Sequence, residues 1–299
     1  MRLALRSTTH EKNHGGRLAR RFALAASLAG LMAATGASNA GAVTIGQLGT
    51  PPSPNCEVIV DRVQPTVTSG NSYVLPNTGG IKEWTITSWS SSPPAAPAAS
   101  NWKMKMFRQV TPGTFTAIAQ DGPRTLTGGV LNTFPTNLQA ESGDILGLNV
   151  IAPATPCGFV VAGDSYLRTG PGSDLANGAS AAFGIAVAPR RLNIQAEATP
   201  TNTFELKKGK RNTKKGIGRV VAEDLKNPGE LVLSGKGLKR LSKNVSASDD
   251  EVILKVRAKG SKRQRLQSSG KVKVKPKVEF TPNTGEPNTE SKKLKLKKG

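Results

Sequence analysis

Histidine is nearly missing from this chain of 299 residues: His10 and His14 are the only two. Both fall in an N-terminal stretch that reads as an export signal, so the remainder holds no imidazole. That excludes Ser-His-Asp and Cys-His catalysis, and histidine-ligated zinc, from the exported chain. Cysteine is almost as scarce: Cys56 and Cys157 are too few for a cysteine zinc site or an iron–sulfur cluster. Aromatic residues amount to 4%, and beyond residue 202 the only ones are Phe204 and Phe280, both expected in the core. The basic end therefore offers no stacking platform for bases, and no nucleic-acid partner is expected. The longest uncharged apolar stretch, at 22–34, is well short of the roughly 20 residues that span a bilayer. No membrane span is expected. Glycine pairs at 216–218 and 235–237 lack the third glycine of a dinucleotide fingerprint, and no cofactor or metal is expected.

What the chain does carry is sharply partitioned. Residues 1–40 hold six Lys/Arg and one acid, residues 41–202 nine of each sign, and residues 203–299 twenty-seven basic against ten acidic. Arg17, Arg20 and Arg21 precede the apolar run at 22–34, and Ser38 and Ala40 stand ahead of Gly41 in an A-x-A-like arrangement. A basic start, a short apolar run and a small-residue cleavage site make residues 1–40 a secretory signal peptide. The expected location is therefore extracellular, free or associated with the cell surface. In an oxidising compartment two cysteines most often pair, so a Cys56–Cys157 disulfide is expected.

From Cys56 onward the chain consists of short apolar runs separated by Gly, Pro, Asn and Ser, with no sustained helical period. Strands are expected at 57–63, 72–75, 81–89, 101–110, 115–120, 144–151, 158–161 and 191–198. In 101–110, Trp102, Met104 and Met106 alternate with Lys103, Lys105 and Phe107. Beyond 199–203, strands are expected at 204–208, 218–222, 230–233, 238–245, 251–258 and 271–280, with Leu294 and Leu296 continuing the alternation. The expected fold is all-β. A jelly-roll-like β-sandwich over 41–198 precedes a basic immunoglobulin-like β-sandwich over 203–299 that lacks the Cys–Trp–Cys core signature.

The run Gly46-Gln47-Leu48-Gly49, then Val74-Leu75-Pro76 with Gly79-Gly80-Ile81, Ser88-Trp89, the segment 142–147 and Arg191-Leu192-Asn193-Ile194 together resemble secreted actinobacterial proteins of unknown function. The lysine-rich segments 270–282 and 292–298 are similar to the immunoglobulin-like modules that close such proteins. The resemblance implies a compartment and a fold, and it supplies no catalytic residue.

Several motifs bear on function. Leu75-Pro76-Asn77-Thr78-Gly79 spells a sortase string, yet it lies far from the C-terminus with no apolar span after it and reads as a turn between strands. Lys271, Lys273, Lys275 and Lys277 occupy alternate positions of one expected strand, and Lys293, Lys295 and Lys297 repeat the pattern. Such a face is either an attachment surface for an anionic cell-wall polymer or polysaccharide, or a solvated face that keeps a sheet edge from aggregating. Trp84 and Trp89, five apart, face opposite ways on a regular strand. Trp89 and Tyr73 are thus candidates to stack on a sugar ring, which would make the first domain a carbohydrate-binding module. Glu57, Asp61, Glu83, Glu141, Asp144, Asp164 and Asp174 are scattered, with no pair set at glycosidase spacing. The expectation is a non-catalytic, secreted binding or structural protein, with unknown oligomeric state.

Overall fold

The computed structural model describes residues 41–50, 52 and 54–299; the expected export signal at 1–40 lies outside them. The described residues belong to one compact unit. Their buried apolar side chains form two clusters, one drawn from Ile45 to Ala198 and one from Phe204 to Leu296.

Thirteen strands surround the first cluster: β1 (Val43–Gln47), β2 (Asp61–Val63), β3 (Glu83–Ser91), β4 (Ala99–Thr111), β5 (Thr114–Thr127), β6 (Asn132–Glu141), β7 (Ile145–Ala152), β8 (Gly158–Val160), β9 (Tyr166–Arg168), β10 (Ser180–Ala182), β11 (Ile185–Val187), β12 (Arg190–Leu192) and β13 (Ile194–Pro200). One sheet runs β1-β13-β3-β6, and the facing sheet β10-β5-β4-β7-β2-β9-β11. The central strands switch between the two sheets along the chain, as in a jelly roll. Every pairing is antiparallel. The Leu75–Gly79 string forms the entry to this sandwich: Leu75 is buried, and Thr78–Gly80 make a short 3-10 turn with Gly79 at φ 65°.

Strand β4 corrects the simple in–out alternation. Lys105 and Phe107, expected to face out, are fully buried along with Met104 and Met106. Register shifts against β5 between Trp102 and Met104 and between Met106 and Phe107 re-aim the strand. The chain beyond β9 also covers its outer face. There the Lys105 ammonium lies 2.7 Å from both Asp61 and Asp174 and donates to the Leu175 carbonyl at 2.9 Å. Asp61 further accepts from the Asn149 amide and the Leu175 N–H. A lysine without exposure persists here because its charge is met on the spot.

Around the second cluster lie β14 (Glu205–Asn212), β15 (Ile217–Glu223), β16 (Gly229–Ser234), β17 (Leu241–Val245), β18 (Glu251–Val256), α1 (Gly260–Ser269), β19 (Lys271–Val274), β20 (Lys277–Pro282), β21 (Asn288–Ser291) and β22 (Leu294–Lys297). A three-stranded sheet β14-β15-β18 accompanies a four-stranded sheet β17-β16-β20-β21, with β19 and β22 paired as a ribbon. The expected single strand 271–280 is two strands. Pro276, which has no N–H to donate, sits where the chain leaves β22 and joins β16. Helix α1 escaped sequence periodicity because Leu266 is its one buried residue. Asn227, fully buried, joins the two sandwiches. Its carbonyl accepts from the Lys82 and Glu83 N–H groups, and its amide donates to the Glu83 and Thr201 carbonyls.

Cys56 and Cys157 form a disulfide that closes a separation of 101 residues, Cα to Cα 5.7 Å. A loop of that length predicts that replacing both cysteines by serine costs about 2–5 kcal/mol in urea unfolding; an unchanged midpoint would contradict this. Lys105→Met leaves Asp61 as a buried charge without its cation. It should cost about 3–5 kcal/mol, and a loss below about 1 kcal/mol would show that the pair does not hold this region.

Candidate functional site

The sequence placed carbohydrate stacking on Trp89 and Tyr73, and the structure corrects both. Trp89 has no exposed surface and Tyr73 is 1% exposed. A register shift in β3 between Ile86 and Ser88 adds a residue to the strand, so Trp84, Ile86 and Trp89 all point into the core instead of opposite ways. The Trp89 indole N–H donates to Asp121 at 2.7 Å, and its ring lies 4.8 Å from that of Phe134. The Tyr73 hydroxyl donates to the Leu192 carbonyl, and burial pushes its pKa far above the ordinary phenol value. Neither ring offers a face to a sugar.

The scattered carboxylates are mostly occupied within the first sandwich. Asp144 receives Arg108 at 2.8 Å, Glu57 receives Arg168 at 2.9 Å, and Asp164 receives the Arg191 Nε at 2.5 Å. Asp61 and Asp174 share Lys105. Burial pushes Asp164 and Asp174 up, but hydrogen bonds from Arg191 and Thr68, and from Lys103 and Lys105, outweigh it and hold both below the usual value. Asp121 is lowered in the same way by Arg124 and Trp89 against burial. Glu83 alone runs the other way, raised by burial.

The lysine pattern is where the structure gathers charge. On the β19–β22 ribbon, Val272 faces Leu296 and Val274 faces Leu294, all four buried, while Lys271 faces Lys297 and Lys273 faces Lys295 on the exposed side. Like charges directly opposite on paired strands repel. Lys273 and Lys295 stand over a groove of about 650 Å³ floored by Val274 and Leu294. Lys273, Lys275, Lys293 and Lys295 rim it. The rim is completed by residues that sequence spacing did not single out: Lys208 of β14, Lys236 after β16 and Lys262 of α1. An adjoining groove of about 290 Å³ brings Lys271 and Arg265 beside Lys262, Lys273 and Lys295. Lys277, beyond Pro276 on β20, lines neither groove, and Lys297 meets them only through its cross-strand partner Lys271.

On the other side of α1 a third groove of about 420 Å³ has Lys215, Lys239, Arg257, Arg263 and Lys298 over Leu266. No Asp or Glu lines any of the three. Among the described residues, the ion pairs of the second sandwich involve only Lys207 and Lys226, so none of the groove cations has a carboxylate partner. Only a missed helix hid Lys262 and Arg265; runs of basic residues at 259–265 were the available signal.

No protein-family model matches the chain, and no curated protein does. Among solved structures, a β-D-glucuronidase from Dictyoglomus thermophilum is similar over 86% of this chain at 10% identity and a TM-score of 0.21. The match spans 44% of that enzyme's chain, and at that score it bears on neither fold nor activity. Among the described residues no helix is long and apolar enough to cross a membrane.

The lowered carboxyl groups carry a pH dependence. Asp121, Asp164 and Asp174 ionise below the unfolded value of about 3.9, so their stabilisation is complete above it and is lost as pH falls through their folded values. Glu83 opposes this, being relieved on protonation. Urea midpoints should therefore hold from neutral pH to about 5 and drop steeply below about 4. A midpoint that rises with acidification would refute that balance.

Proposed function

We propose that the chain is a secreted, non-catalytic binding or structural protein of the cell envelope or extracellular space, held to anionic surface polymers by its second sandwich. The observation that carries this reading is the groove beside the β19–β22 ribbon, where seven lysines and no carboxylate surround an apolar floor. A solvated face that merely protects an edge needs charge spread along an edge. Here residues from β14, α1, β19 and β22 converge on one concavity, and repulsion between facing lysines falls when an anion lies among them.

Two further features support the reading. The disulfide fits an oxidising compartment. The strand orders β14-β15-β18 and β17-β16-β20-β21 are compatible with the two sheets of an immunoglobulin-like module, an architecture found in many cell-surface domains. The alternative of a carbohydrate-binding module loses its footing, since the aromatics assigned to it are core.

The test is binding of poly(glycerol phosphate) and of polygalacturonate across a salt series. Affinity for at least one polymer should fall steeply between low and physiological salt. Replacing Lys273, Lys275 and Lys295 together by glutamine should lower the slope of log K on log salt by roughly 0.7–0.9 per lysine. Binding that ignores salt, or that survives the triple replacement unchanged, would remove the proposal.

A further inference from the structure

The first sandwich is neutral overall, yet one of its buried cations takes part in no ion pair. Three cationic side chains there are buried: Arg62, Lys105 and Arg191. Lys105 holds two carboxylates and Arg191 holds Asp164. Arg62, 1% exposed at the centre of β2, takes part in none of the ion pairs among the described residues. Its guanidinium donates to the Val60 carbonyl at 2.7 Å and the Glu57 carbonyl at 2.6 Å, and its Nε has no acceptor. Burial lowers its pKa; the Tyr166 hydroxyl beside it and the Glu57 carboxylate offset this only in part, and the charge of Arg168 adds to the lowering. Backbone carbonyls solvate a buried cation only in part, and leaving one uncompensated is costly.

Arg62 lines a cavity of about 130 Å³ against the Cys56–Cys157 disulfide, large beside the roughly 30 Å³ of one water. Two more guanidinium groups reach it. Arg168 of β9 comes with Glu57 as its partner, and Arg190 of β12, half-buried, has no ion pair. Tyr166 of β9 and Asn55 complete the polar wall. Three arginines thus converge on one small concavity that contains a single carboxylate, already engaged. Guanidinium groups present forked donors that match a planar carboxylate or a phosphate face.

We propose that this cavity is a binding site for a small oxyanion, taken either as a free ion or as the pendant group of a larger ligand, and independent of the lysine grooves of the second sandwich. The oxyanion is gripped by Arg190 and Arg168, and its charge offsets that of Arg62, buried in the wall behind them. The disulfide, strand β9 and strand β12 hold these groups in place before the ligand arrives, which lowers the ordering cost of binding.

The experiment is calorimetric titration of the full exported chain with inorganic phosphate, acetate and glycerol phosphate, with ionic strength held constant by sodium chloride. Thermal unfolding is followed in parallel. Saturable binding of at least one probe with a raised Tm is expected. A preference for glycerol phosphate over phosphate marks a pendant group, and the reverse marks a free ion. Arg190→Gln, at a half-exposed position without an ion pair, should keep the unliganded Tm and weaken binding roughly ten- to hundredfold, the value of one charge-assisted hydrogen bond. Lys273→Gln with Lys295→Gln should leave this binding unchanged while weakening polymer binding. No saturable response to any probe beyond chloride would overturn the site, as would equal affinity in Arg190→Gln. Loss of small-anion binding in the lysine variants instead would place the anion in the second sandwich and overturn it equally.

Discussion

A β-strand has two faces, and in this protein nearly every consequence flows from which residue is sent to which. With a period of two, one extra residue reverses the assignment of everything after it. The register shift in β3 between Ile86 and Ser88 does this to Trp89 and turns a candidate ligand platform into a core residue hydrogen-bonded to Asp121. The shifts in β4 do the same to Phe107. In the second sandwich no shift interrupts β19 or β22, so the alternation survives and the lysines stay outside.

The two sandwiches treat charge in opposite ways. In the first, buried cations and carboxylates are matched almost one for one, and Lys105 sits among groups drawn from β2, β4 and the segment after β9. That arrangement stitches distant chain segments together. Arg62 is the exception, and its lack of an ion pair coincides with a cavity and two more arginines. In the second sandwich the cations are unmatched and concentrated around α1 and the β19–β22 ribbon. A surface of that kind attracts polyanions at a distance and yields to salt, whereas the site proposed beside Arg62 would act through a few forked donors around one small concavity. One chain thus carries two anion-facing features with different physics.

Much of the architecture was legible in the residues. Alternation in 251–256 and 271–280 located the inward valines and the outward lysines, because those strands are regular and half-exposed. Strand β6 was missed: its buried positions are few, and residues 139–143 resemble a turn. Helix α1 escaped for a related reason, since one buried leucine in ten residues makes no stripe. Lys208, Lys236 and Lys262 join the groove from three separate elements, and linear spacing carries no trace of that convergence. The same holds for Arg62, Arg168 and Arg190, which lie on β2, β9 and β12.

Composition and local pattern by themselves determined the all-β class, the exclusion of imidazole chemistry downstream of the leader-like segment, and the charge division between the halves. They could do so because these properties depend on residue identity and on neighbours two positions away. Which aromatics are buried, which lysines share a groove and which arginine lacks a counter-ion were decided only by the tertiary structure. Those outcomes depend on bulges, sheet switching and contacts between residues more than a hundred positions apart, where no short-range periodicity reaches.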